Sequence, residues 1–296
     1  MAARGLGKGS GNNGLGFGEF DQSHGRPRRA APTVRTEICM KPVVLSIAGL
    51  DPSGGAGIVA DVKTIAALGC FPAAAITSIT FQNTTGVFGA EHQTAASLRS
   101  QVEPIVRDLN VAAAKTGMLP TAEIVAEVAR LFANEELPAP VVDPVVVATS
   151  GDVLIDEAAF EILKRDLFPL ARVVTPNIPE AEKLTGISIQ NESDMRRAAE
   201  AIQQLGARAV LVKGGHRHID AQALDVLLTE NGIFTEFRSD YIEVGEVHGS
   251  GCTLSAALAA CLGKGLNLEE AVSAAKKYVT DAIRNATRLG HGALPL

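Results

Sequence analysis

What most constrains this chain is an alternation that begins at Val43. Short, β-branched apolar runs recur, each followed by a turn and then by a stretch with helical periodicity. Residues 43–48 read as a strand covered on both faces, ending at Gly49. A glycine-rich turn leads into a helical stretch through Ile58, Val62, Ile65 and Leu68 that stops at Gly69. Residues 73–79 read as the next strand and 112–115 as a short one, with a helix from about Thr121, whose hydroxyl suits an N-cap. Further strands fall at 141–142, 172–174 and 209–212, and helices at 156–165, 179–185 and 193–205. Two runs between 222 and 247 flank Asn231-Gly232, the signature of a β-hairpin. Helices over about 251–263 and 267–287 follow. Repeated strand–helix units predict an α/β fold: a central, mostly parallel sheet with helices on both faces and a small β-hairpin addition. In such sheets ligands gather beyond the carboxyl ends of the strands.

Composition bounds the partners. The net charge is −6, but residues 1–39 carry six basic and three acidic side chains, so the remainder carries −9. An acidic body without Trp offers neither the field nor the stacking platform that nucleic acid requires, and it has no attraction for an anionic membrane. No apolar run approaches the ~20 residues that span a bilayer. Residues 1–39 are rich in Gly and Arg without apolar periodicity, which predicts a disordered extension ahead of a single domain over 40–296. Cys39, Cys70, Cys252 and Cys261 form no C-x-x-C pair and read as free thiols of a reducing, cytoplasmic compartment.

Four segments at strand ends carry chemistry. Gly249-Ser250-Gly251-Cys252-Thr253 stands directly before an apolar helix. Its glycines allow close backbone approach, and a helix start attracts anions; taken alone, it reads equally as a turn capped by Ser or Thr. Gly49-Leu50-Asp51-Pro52-Ser53-Gly54-Gly55-Ala56-Gly57 links a strand to a helix in which Asp61 lies one turn along. Asn177 and Glu180, three apart, are able to reach Mg²⁺ through its waters. Lys213, before Gly214-Gly215, brings an ammonium to where phosphates would lie. Neither the Walker A pattern nor G-x-G-x-x-G after a strand is present.

Together these segments resemble the hydroxymethylpyrimidine/phosphomethylpyrimidine kinases, the thiamine-pathway branch of the ribokinase-like superfamily. AGLDPSGGAGIVADVKT, QNTTGV, KTGML, TPNIPEAEKL, VKGGH and HGSGCTLSAALAA occur in the expected order, and the resemblance covers about residues 42–290. It implies a ribokinase-like fold and an ATP- and Mg²⁺-dependent transferase. The substrate would be 4-amino-5-hydroxymethyl-2-methylpyrimidine, taken to its monophosphate and then its diphosphate. It further implies that Gly49, Ala56, Asp61, Gln82, Met118 and Val145 line the pyrimidine pocket. Lys213, Asn177 and Asp143 would serve ATP phosphates, and Glu180 the metal. Gly249, Ser250 and Gly251 would form the anion hole, with Ser250 in place of the more usual Thr.

Cys252 stands where most sugar kinases of the superfamily carry an Asp base. It would accept the proton of the attacking hydroxyl or orient it, its pKa lowered at the helix N-terminus. The resemblance leaves the adenine contacts unassigned and implies a homodimer. A pyridoxal kinase on the same scaffold, and a pyrimidine-binding sensor without catalysis, are the alternatives.

Overall fold

The computed structural model of the chain describes residues 40–134, 137–146, 154–219 and 222–296. The expected extension over 1–39, with Cys39, lies outside the described residues. Met40–Leu296 forms one compact unit.

Eleven strands and eight α-helices occur among the described residues, in the order β1 (Val43–Leu50), α1 (Gly57–Ala67), β2 (Phe71–Asn83), β3 (Gly86–His92), α2 (Ala95–Asp108), β4 (Val111–Thr116), α3 (Ala122–Ala133), β5 (Val141–Val142), α4 (Glu157–Ile162), β6 (Val173–Val174), α5 (Ile178–Thr185), α6 (Glu192–Gln203), β7 (Val210–Ile219), β8 (Gln222–Leu228), β9 (Phe234–Asp240), β10 (Val247–His248), α7 (Ser250–Gly263), α8 (Leu268–Arg284) and β11 (Leu294–Pro295). Nine strands form one sheet in the order β3-β2-β1-β4-β5-β6-β7-β8-β9. The run from β2 to β7 is parallel; β3, β8 and β9 pair antiparallel at the two edges. The expected α/β architecture is borne out, and the hairpin around Asn231-Gly232 extends the main sheet.

Period-2 alternation divides the strand side chains between two cores. Leu45, Ile47, Val142 and Val174 face the side that includes Leu98 of α2, Ile124 of α3 and Ile202 of α6. Val44, Val141, Val173 and Leu211 face the side that includes Ile65 of α1, Leu258 of α7 and Val272 of α8. Helix α7 is buried on every side from Thr253 to Leu262, as a helix apolar all round must be. Its first turn is thereby held at the carboxyl ends of the strands.

Four elements had no counterpart in the sequence reading: β3, α2 with Pro104 inside it, and the short pair β10 and β11. Only Leu98 and Val102 of α2 are buried, so its apolar signal is thin. Strand β2 runs on to Asn83, and this carries Gln82 over the cleft.

Candidate active site

A cleft of about 590 Å³ opens at the carboxyl ends of the parallel strands. Gly49 of β1 and Ala56 before α1 line it, as do Gln82 of β2 and Met118 after β4. Asp143 and Val145 after β5, Asn177 and Glu180 at the start of α5, and Lys213 of β7 border the same space, closed by Gly249, Ser250, Gly251 and Cys252. All the expected site residues but one therefore converge.

The exception is Asp61. It is fully buried and does not line the cleft, contrary to expectation. Its carboxylate accepts from Ser46 Oγ at 2.5 Å and from Lys115 Nζ at 3.0 and 2.8 Å. Lys115 is equally buried. Burial alone would lower its pKa, yet the charges of Asp61 and Asp143 hold it above the ordinary value. A helical position one turn beyond a glycine-rich loop is compatible with either direction; the facing Lys115 decides that Asp61 turns inward.

Gly249 is the N-cap of helix α7, with φ +84°, a left-handed conformation natural to glycine. Among the described residues no side chain caps this helix start, so the reading of a Ser- or Thr-capped turn is not what the chain adopts. A Cβ at 249 would lie 1.9 Å from the Gly55 carbonyl oxygen, which ties the loop to the turn before α1. One at 251 would lie 3.2 Å from Lys213 Nζ. The first-turn N–H groups, which lack intrahelical acceptors, therefore adjoin a buried ammonium.

That ammonium pairs with Asp143 Oδ1 at 2.9 Å, while Ser255 Oγ donates to Asp143 Oδ2 at 3.1 Å. Burial pushes the Asp143 carboxyl upward, but Lys213 and Lys115 outweigh it and hold the group below its usual range. Asn177 and Glu180 form a reciprocal capping box at α5, each side-chain oxygen accepting the other's backbone N–H at 2.8 Å. Burial, helped by the Asp143 charge, lifts Glu180 to about 7 against the pull of Lys213. Cys252 overturns the expectation of an acidic thiol. Part of the residue is accessible, yet burial, with Asp61 and Asp143 adding to it, drives the thiol up to about 11 despite Lys115 and the Gly57 N–H.

Other residues of the cleft carried no separate signal. Asp51 accepts from the backbone N–H groups of Ser53, Gly55 and Ala56, and from His248 Nε2 at 3.1 Å. Burial works against its ionisation, but the bonds from His248, Ser53 and Gln82 hold it well below the carboxylate range. At the other end Asp225 takes the Gly214 N–H at 3.0 Å and Lys276 Nζ at 2.7 Å. Asp225 sits mid-hairpin and Lys276 on an amphipathic helix, positions where a charge reads as solvated surface.

Residues 51–296 match the family described as phosphomethylpyrimidine kinase. The chain belongs to that family. Membership makes it a phosphotransferase that draws on ATP and acts on a small molecule. The hydroxymethylpyrimidine/phosphomethylpyrimidine kinase of Streptomyces coelicolor is 44% identical over 264 residues, 89% of this chain and 97% of that protein. The thiamine biosynthesis bifunctional protein ThiED of Geobacter sulfurreducens is 45% identical over 253 residues, 86% of this chain; the match spans only 51% of that longer protein. Among solved structures, the phosphomethylpyrimidine kinase of Clostridium difficile 630 superposes with a TM-score of 0.72 at 42% identity, covering 82% of this chain and all of that one. An ADP complex of Bacillus subtilis pyridoxal kinase superposes with a TM-score of 0.79 at 35% identity, covering 86% and 96%.

Proposed function

We propose that this kinase transfers the γ-phosphoryl group of ATP to the hydroxymethyl oxygen of 4-amino-5-hydroxymethyl-2-methylpyrimidine, and then phosphorylates the monophosphate, in thiamine biosynthesis. The observation that carries the reading is one cleft with two chemically different ends. Gln82, Met118, Val145, Gly49 and Ala56 offer an amide and apolar walls at one end, suited to the edge and faces of an aminopyrimidine. Lys213, Asp143, Asn177 and Glu180 border the other, with the start of α7 between them.

In this reading the N–H groups of Ser250, Gly251 and Cys252 receive the charge that builds on the phosphoryl oxygens, with the helix dipole behind them. Lys213 neutralises nucleotide phosphate, and the Asn177 amide is a further donor. The oxygen-rich set of Asp143, Asn177 and Glu180 fits Mg²⁺, which binds chiefly through waters and phosphate. Bound there, the ion would supply positive charge against the phosphates. Cys252 is protonated at neutral pH in the free protein and orients the attacking hydroxyl by hydrogen bonding. A loose phosphoryl-transfer transition state needs little prior deprotonation, so a neutral thiol suffices. The reading includes a homodimer in the cytoplasm.

The test is ADP release with Mg²⁺ and ATP, offering the hydroxymethylpyrimidine, its monophosphate and pyridoxal separately. Turnover of the first two with pyridoxal poor is the expected outcome. Preference for pyridoxal would transfer the assignment to the second reading, which the superposition on Bacillus subtilis pyridoxal kinase favours. Binding of the pyrimidine without any turnover would leave only a sensor.

A further inference from the structure

The residues after α8 contribute nothing to the chemistry just described, yet they join two walls of the cleft. The Ala293 N–H donates to the Thr84 carbonyl oxygen at 2.9 Å, and the Gly292 N–H to Thr84 Oγ1 at 3.3 Å. Thr84 lies two residues beyond Gln82, where β2 turns into β3. The Leu294 N–H donates to the Glu246 carbonyl oxygen at 2.8 Å. Leu294 and Pro295 then lie parallel beside Val247 and His248, immediately before Gly249.

The fit leaves no room for side chains. A Cβ on Gly292 would stand 1.8 Å from the Thr84 carbonyl oxygen, and one on Gly290 2.3 Å from Thr84 Oγ1. On the far side, a Cβ on Gly55 would meet His248 Cδ2 at 2.5 Å and Pro295 Cβ at 3.2 Å. His248 in turn holds Asp51, the carboxylate that organises the turn before α1. Residues 290–295 are therefore a strap that ties the Gln82 turn to β10, and through β10 to the phosphoryl-binding turn of α7. Lys213 and Asp143 pair with each other, and Asp225 with Lys276, across the opposite end of the cleft.

We propose that the 290–295 strap is a positioning element that sets the separation between Gln82 and the 249–252 loop. It thereby governs how the acceptor hydroxyl meets the phosphoryl group without governing nucleotide affinity. The role assigned to the acceptor rests on the function proposed above; the mechanical coupling does not.

The variant Gly292→Ala pushes the strap off Thr84. Thr84→Val is a milder companion that removes only the Oγ1 acceptor, and Thr84→Ser is its conservative control. Misplacement on the ångström scale is worth about tenfold to a hundredfold in rate, so Gly292→Ala is expected to lose at least about tenfold in kcat/KM for the hydroxymethylpyrimidine. ATP affinity, read by calorimetry, stays within about twofold. Thr84→Val moves kcat/KM in the same direction by less, and Thr84→Ser restores it.

Hydrogen exchange reads the coupling without substrate. Gly292→Ala should speed exchange at residues 82–86 and 249–253 together, and leave 213–215 unchanged. An unchanged kcat/KM would overturn the proposal, and so would an equal loss of ATP affinity or faster exchange spread evenly over the cleft. If Gly292→Ala does not fold, the Thr84 pair decides by the same measurements. If the wild-type protein fails to turn over the pyrimidine, the proposed function falls while the exchange experiment still decides the strap.

Discussion

Two effects oppose each other at Cys252. A helix start favours the thiolate, whereas burial beside Asp61 and Asp143 favours the thiol, and burial wins at about 11. Alkylation of Cys252 by iodoacetamide, followed by peptide mass mapping, should therefore still be accelerating above pH 9.0, the ordinary thiol value. A plateau near pH 7 would show the thiolate instead. Cys70 and Cys261 are buried and serve as slow internal references. Because the thiol orients rather than ionises, Cys252→Ala should cut kcat by about a hundredfold, at the lower end of proton-transfer effects. Calorimetry should find ATP affinity unchanged in that variant. Unaltered turnover would remove Cys252 from the reaction.

Among the elements, β4 and α1 are pinned by an ion pair closed to solvent. Lys115 and Asp61 are each fully buried, and Ser46 of β1 supplies a further bond to the carboxylate. Removing one partner leaves an uncompensated buried charge, which costs about 3–5 kcal/mol. Lys115→Met should lose that much stability in urea titration. The double variant Lys115→Met with Asp61→Leu should recover most of it, since a packed apolar pair is often neutral. Failure of the second change to restore stability would mean that packing, not charge, is what Lys115 contributes. The same two residues illustrate where local pattern runs out. Asp61 follows a glycine-rich turn on a helix, and only the lysine that another strand delivers beneath it decides which way its carboxylate faces.

Across the whole molecule, Met40–Leu296 is compact by itself. We propose that a chain beginning at Met40 matches the full chain in kcat and thermal midpoint; a drop of several degrees in the midpoint would contradict this. The strand–helix alternation, the hairpin at Asn231-Gly232 and the order of the glycine-bearing turns were all legible in the sequence. These follow from near-neighbour physics: period-2 and period-3.6 apolar patterns, glycines where φ is positive, and a residue such as Thr121 that satisfies helix N–H groups. The convergence of the 249–252 loop with Lys213 followed from the general rule that parallel strands present their carboxyl ends together.

What lay beyond local pattern was set by partners distant in the chain. The thiol pKa of Cys252 depends on Asp61 and Asp143, charges brought beside it by α1 and the end of β5. The roles of Asp51 and His248, and of Asp225 and Lys276, exist only as pairs. Likewise, the hold of residues 290–295 on Thr84 spans about two hundred positions and leaves no mark in either segment alone. Backbone preference acts between neighbours, whereas desolvation and ion pairing depend on which side chains finally share a volume.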